Sequence, residues 1–383
     1  MQETKVDTGS LASPSSRLSF IDFTRGFVMI VMAWDHVSGF WNELHHGGEG
    51  VLGNAPPFAN LVWFLERFVS HWCAPSFIFL AGTVLALSTM RRIERGESQR
   101  GISLHIITRG VILLALEALL VSPAFDVPVY YFGVIACIGA CFLIFSVYRR
   151  LPASAILVIS LFIVLNHSFL DLSWISPQTV AGRYLRVIIH EPNFESWPYV
   201  GLYPIIPWIG VMGLGWYFGS VLRKIDTSSI KLRNSILATG VASITLFFVV
   251  RWLNSYGNLL IRRGGTVIDW LYVAKYPPSV AFLLWGLGGM CIFMAIGLLL
   301  QQRPRLNMVT NAIHAIGRTP LFFYVAHLWL YRLRLPGVIE RPFYLEMYQT
   351  FLLWVAGLVV LSWLCKKYYR VKRDHPGSIL RYL

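Results

Sequence analysis

Residues 19–40 read SFIDFTRGFVMIVMAWDHVSGF, an apolar run interrupted by Asp22, Arg25, Asp35 and His36. As a helix it rises about 33 Å, enough to cross the roughly 30 Å of hydrocarbon in a bilayer. Working outward, comparable runs recur at 68–90, 104–124, 128–148, 153–172, 201–222, 235–255, 278–300, 315–332 and 347–365. Backbone groups in lipid must pair within their own segment, so the pattern predicts an all-α fold, a polytopic transmembrane helix bundle of about ten spans. Residues 17–383 are expected to form this bundle as a single domain, with no separate soluble unit. Residues 1–16 (MQETKVDTGSLASPSS) are polar, lack an apolar signal-peptide core, and are expected to be a disordered cytoplasmic tail.

Composition agrees with a lipid solvent. The 383 residues are 56% hydrophobic and 14% charged, with mean hydropathy +0.58, whereas soluble globular chains carry roughly 25% charged residues. The net charge of +14 lies between apolar runs and not on one soluble face, which argues against nucleic acid as a partner. With a cytoplasmic N-terminus, the inner segments hold Arg91, Arg92, Arg95, Arg100, Arg149, Arg150, Arg223, Lys224, Lys231, Arg233, Arg303, Arg305 and the tail KKYYRVKR. The outer segments are poorer in Lys and Arg, with Arg262, Arg263, Lys275 and Arg334 as exceptions. The distribution of positive charge thus favours an even number of spans and both termini in the cytoplasm. The five cysteines lie in or beside apolar runs, and no ligand spacing implies a metal site.

Three outer segments, about 41–67, 173–200 and 256–277, are longer than connectors need and rich in Trp, Tyr, Pro and Gly, as interfacial and re-entrant segments are. Ionisable residues within spans normally face a bundle interior, a partner or water, and so are the functional candidates. Asp22 and Arg25 can pair at i,i+3 near the inner end, either to anchor the helix or to serve chemistry. His36 lies eleven positions after Arg25, or about 16 Å of helix rise. Imidazole exchanges a proton near neutral pH, which makes His36 a candidate base, and Asp35 adjoins it. His71, in HWCAPSFIFLAG, is expected at the same depth; Asn42, His45, His46, Asn166, His167 and Asp171 complete an external polar collection. In GRTPLFFYVAHLWLYR, Gly317, Arg318 and Pro320 look like a helix start, and Tyr324 and His327 share a face at mid-membrane depth, where an interhelical hydrogen bond is the structural alternative to a ligand role. The prolines of YPIIPWIG (203–210) and KYPPS (275–279) either open ordinary helices or shape a substrate cleft.

RLSFIDFTRGFVMIVMAWDH, HWCAPSFIFLAGT, ITRG, YPIIPWIGVMGLG, KYPPS and GRTPLFFYVAH, taken in order, resemble bacterial members of the heparan-alpha-glucosaminide N-acetyltransferase catalytic-domain family. The resemblance implies a transmembrane acyltransferase that takes acetyl-CoA from the cytoplasm and delivers the acetyl group to a hydroxyl or amine of a glycan, lipid or envelope acceptor at the outer face. The spacing from Arg25 to His36 also resembles the arginine, ten residues, histidine pattern of a broader group of membrane O-acyltransferases, in which the histidine is catalytic. In the lysosomal branch of the family the catalytic histidine is expected in the first outer loop, a position that falls on His46; the surrounding ELHHGGEG is otherwise unlike that branch.

The resemblance points to His36 as the catalytic histidine, with His46 as a second candidate; on an acyl-transfer reading His36, oriented by Asp35 or an Asn, is expected to act as general base or as an acetylated intermediate, with His71 as an alternative base or oxyanion donor. Arg25, Arg109 and Arg318 would meet the CoA phosphates, with Tyr324 and His327 further along the cofactor path. Acetyl-CoA is the expected cofactor, with no metal. Expected partners are acyl-CoA, a glycan or lipid acceptor, membrane lipids and, for a homo-oligomer, a second copy of the chain; the expected location is a bacterial inner membrane. A multi-helix transporter or lipid flippase without acyl-CoA chemistry is the alternative.

Overall fold

The structure, a computed structural model, describes residues 18–42, 45, 58, 60–127, 131–195, 199–301, 307–332, 344–375 and 377–378. The described residues are helical throughout, joined by turns and two isolated bridges. In chain order the helices are α1 (Ser19–Trp41), α2 (Leu61–Val69), α3 (Cys73–Glu94), α4 (Gln99–Leu116), α5 (Val134–Tyr148), α6 (Ala153–Asn166) and α7 (Val180–Ile189). They continue with α8 (Ile205–Leu222), α9 (Ile230–Leu253), α10 (Val267–Leu271), α11 (Val280–Leu300), α12 (Asn307–Arg318), α13 (Pro320–Arg332) and α14 (Met347–Asp374).

Among the described residues six segments are long and apolar enough to cross a membrane, and Val134–Tyr148 and Ala153–Phe169 are shorter apolar helices. α1 matches them in length, with 23 residues, and its hydropathy is lowered by Arg25, Asp35 and His36. About ten spans therefore cross, and the protein is an integral membrane protein. The expected ninth span is a broken pair: α12 ends at Arg318 and α13 starts at Pro320, which has no backbone N–H to continue a ladder. α14 runs past the expected residue 365 to Asp374, because KKYYRVKR continues a good helix outside the apolar stretch.

Burial separates the centre from the rim. The apolar window of Leu61–Glu94 is 67% buried and that of Ile205–Leu222 61%, against 22% for Ile230–Leu253 and Met347–Asp374; α9 and α14 thus turn most of their apolar surface to lipid. α3 and α8 are held close by small residues. A Cβ on Gly82 would overlap the Met212 carbonyl, and one on Gly215 the Phe79 carbonyl, the packing by which helices associate where lipid supplies no hydrophobic drive. α1 sits inside the bundle, against α3, α11, α12, α13 and α14.

The long outer segments hold α2, α7 and α10. Arg251, buried at the end of α9, donates to the carbonyls of Trp270 at 2.7 Å, Asp269 at 2.6 Å and Leu260 at 2.9 Å, and to Asn258 Oδ1 at 2.6 Å. With four of its five N–H groups engaged, this guanidinium fixes the loop that leads to Lys275. On the other side α4 passes into a π-helical turn, Glu117–Val121. The Glu117 side chain accepts the Ala136 N–H at 2.7 Å, satisfying a backbone donor in the first turn of α5. Nearby, Phe132 N–H donates to Val200 at 2.8 Å and Leu202 N–H to Phe132 at 3.1 Å. These contacts position the strip of chain that walls the site.

Candidate active site

Asp22, Arg25, Met29, Met32 and His36 recur every three or four residues, so they form one stripe along α1. Three cavities follow that stripe in order. The first, of about 460 Å³, is lined by Asp22, Arg25, Val84, Arg91, Arg92 and Arg95, among others. The second, of about 100 Å³, shares Arg25 and Val84 with it and is otherwise mostly apolar, with Met29, Phe77, Leu113 and Phe142 beside Arg109. The third, of about 280 Å³, shares Phe77, Val134 and Tyr324 with the second and holds Asp35, His36, Arg67, Lys275 and Tyr276. α3 faces the stripe with Arg91, Ser88, Val84, Ala81, Phe77 and Ala74, again at helical spacing.

The two ends differ chemically. At the Arg25 end four arginines line a cavity with Asp22 as the one lining carboxylate. Arg92 is also bound to Glu97 at 2.6 Å, and Arg318 Nε lies 3.8 Å from Asp22. Such a mouth suits a polyanion, because guanidinium groups form paired bonds with phosphate. At the His36 end four tyrosines and the ionisable Asp35, His36, Arg67 and Lys275 share the lining with apolar residues such as Met32, Phe77 and Phe125. Tyr203 and Tyr276 hydroxyls are 3.4 Å apart, and Lys275 lies over the Tyr276 ring at 5.2 Å from its centre.

Asp35 and His36 are neighbours in sequence but turn to different partners. Asp35 binds the Arg67 guanidinium and lies 3.7 Å from His45, which in turn contacts Glu66 at 3.1 Å and Arg67 at 3.2 Å. His36 Nδ1 meets His327 Nε2 at 2.7 Å, and His327 Nδ1 meets the Phe323 carbonyl at 2.9 Å. The expectation that Asp35 orients His36 is thus corrected: one residue is about 100° of helix, and that turn sends the carboxylate to Arg67 while His327 holds the imidazole.

The family profile described as heparan-alpha-glucosaminide N-acetyltransferase, catalytic, matches residues 17–248, more than half of the chain. The protein belongs to that family. No curated protein matches the chain. Membership makes the protein one of a family of membrane acyltransferases, and the matched stretch carries the α1 stripe, its α3 counterpart, Arg67 and Arg109. Lys275, Arg318, Tyr324 and His327 lie beyond it, so their place in this heparan-alpha-glucosaminide N-acetyltransferase-like chain rests on the geometry above.

The other expected residues divide. Arg25, Arg109 and Tyr324 line the row of cavities; Arg318 stands beside Asp22 at its mouth, outside the lining. His327 is fully buried and lines none of the three, because its ring is spent on His36 and Phe323. His71 is buried at the turn before α3, its ring packed on Phe68 and Phe282 at 5.4 and 5.2 Å between centres, and the lining of the third cavity does not include it. His46 lies outside the described residues. The external polar collection disperses: Asn42 accepts from Thr350, Asn166 donates to Phe162, Asp171 accepts from Ser173, and His167 pairs with His190 at 3.0 Å. Among the described residues no group of three His, Cys, Asp or Glu is placed to hold a metal ion.

Sequence reasoning passed over several lining residues. Arg91, Arg92 and Arg95 read as topological charge, and no motif in the sequence singles out Arg67. Arg67 could have been found as a cation next to the outer end of a span, opposite Asp35 in the hairpin. KYPPS did give a usable signal, since Lys275 and Tyr276 line the third cavity.

Proposed function

We propose that this protein transfers an acyl group, acetyl in the first instance, from cytoplasmic acyl-CoA to a hydroxyl or amine at the opposite face of a bacterial inner membrane. The observation that carries this reading is the row of cavities along one stripe of α1, from a mouth of arginines to a chamber holding His36. The excess of Lys and Arg in the segments at the Arg25 end supports a cytoplasmic mouth. CoA phosphates meet Arg25, Arg91, Arg92 and Arg95, Arg109 stands further in, and the narrow pantetheine arm passes the apolar second cavity.

In the chamber His36 acts as general base. The acceptor oxygen or nitrogen attacks the thioester carbonyl, its proton moves to His36, the carbon–sulfur bond breaks, and the proton passes to the departing CoA thiolate. Tyr324, at the junction of the second and third cavities, donates to the oxyanion that forms on the carbonyl. Four tyrosines with Lys275 and Arg67 around about 280 Å³ suit a polar, ring-shaped acceptor such as a sugar unit.

Acetyl-CoA binding and thiol release by the purified protein test the reading, with and without sugar acceptors. Wild type binds acetyl-CoA and releases CoA; His36→Ala binds it and does not turn it over. A wild-type protein that neither binds nor consumes acyl-CoA would leave the transporter reading in its place.

A further inference from the structure

The contacts of His327 determine where the protons of His36 reside. A carbonyl oxygen only accepts, so the 2.9 Å contact with Phe323 requires the proton of His327 on Nδ1. In the neutral ring that leaves a lone pair on His327 Nε2, and the 2.7 Å contact there requires the proton of His36 on its Nδ1. The lone pair of His36 is then on Nε2.

Ring orientation shows that the contact is a hydrogen bond and not a stacking contact. The two imidazoles are within 9° of parallel with centres 5.0 Å apart. Combined with a nitrogen–nitrogen contact of 2.7 Å, that separation leaves no room for face-to-face overlap: the distance left over is about two centre-to-nitrogen radii. The rings therefore meet edge to edge in a common plane, the lone pair of one on the N–H axis of the other, which is the strongest geometry for a ring hydrogen bond. The opposite assignment, with His327 donating from Nε2, would press a lone pair on Nδ1 against the Phe323 carbonyl. A doubly protonated His327 would bury a cation whose two nitrogens face a carbonyl and a second imidazole, with no carboxylate at either.

We propose that His327 is a positioning residue that fixes His36 as the tautomer protonated on Nδ1, presenting Nε2 as the basic atom to the third cavity. The proposal rests on the acyltransferase reading for its catalytic meaning, and on geometry alone for the tautomer. It gives α13 a role: the carbonyl of Phe323, one turn before His327 on the same helix, is the fixed end of a relay that runs carbonyl, His327, His36, acceptor. A backbone carbonyl there does the orienting that a carboxylate does in hydrolase triads, with no charge placed in the bundle.

Two measurements test it. Nitrogen-15 solid-state NMR of histidine-labelled protein in lipid, with His36→Gln and His327→Gln for assignment, should show His36 protonated on Nδ1 and bare on Nε2 at neutral pH. His36 protonated on Nε2, or on both nitrogens, overturns the proposal. In kinetics, His327→Phe keeps the ring volume but removes the acceptor, and kcat should fall on the order of 10²-fold or more with KM for acetyl-CoA unchanged, because His327 lines none of the cavities. His327→Gln, whose Oε1 reaches the position of Nε2 and accepts from His36, should recover most of that loss. Equal losses in the two variants, or none in His327→Phe, also overturn it. The spectrum does not depend on acyl-CoA being the donor, so failure of the relay and failure of acyl transfer are read separately.

Discussion

Arg67 shows how tightly single residues are committed at the outer end of α1. It and Asp35 are each 8% exposed and bound to one another. Removing one partner of such a pair strands the other charge away from water, which typically costs about 3–5 kcal/mol. Arg67→Ala is therefore expected to lower thermal stability in detergent by that order, and Arg67→Ala with Asp35→Asn to recover much of it. A double variant no more stable than the single one would count against a paired role. The residue scale is also where the sequence was least sufficient. His36 could be found from its distance to Arg25, since both lie on one helix and helical spacing is local information. Its partner is 291 positions away, and no spacing connects the two. His71 looked equivalent to His36 because depth is easy to infer for a hairpin; rotation about the helix axis, which turns His71 towards Phe68 and Phe282, is not.

At the scale of elements, because a lipid solvent makes length and hydropathy decisive, runs of apolar residues were a sufficient guide to the long apolar helices, though not to α2, α7 and α10. What they could not show is continuity. The run at 315–332 reads as one span, yet Pro320 divides it, and α12 lies so close to α1 that a Cβ on Gly317 would overlap the Asp22 carbonyl. The outer elements carry a pH dependence of their own. His190, at the end of α7, is buried against His167, and burial pushes its pKa below the ordinary imidazole value. The unfolded chain thus binds a proton more readily, and stability is full above an imidazole's unperturbed pKa of about 6.5 and declines as pH falls below it. Melting temperature followed from pH 7.5 to about pH 5 should drop, and His190→Gln should flatten the slope. An unchanged slope in that variant would show that His190 is not the group responsible.

For the whole molecule, the sequence placed cations towards one face and His36 towards the other, but it could not reveal that three cavities with shared walls lie in a row between them. That depends on α1 and α3 presenting matched stripes, a property of rotation and packing that no single helix encodes. The smallest of the three, a narrowing of about 100 Å³, lies between Arg25 and Tyr324, and Ala81 on α3 is part of its wall. In Ala81→Trp an indole occupies the narrowing. Acetyl-CoA binding at the arginine mouth should persist, while single-turnover transfer falls on the order of 10²-fold. Undiminished transfer in this variant would mean the acyl group takes another route.

The same narrowing bears on how an energised membrane stays energised. A passage open at both ends and wide enough for a file of water molecules would let protons run down their gradient. Met29, Phe77, Leu113, Ile138 and Phe142 offer water few hydrogen bonds along this stretch. On the proposed reading, a thin, uncharged chain would lie there where a continuous file of water is disfavoured, so a bundle set in an energised membrane would pass an acyl group without passing protons.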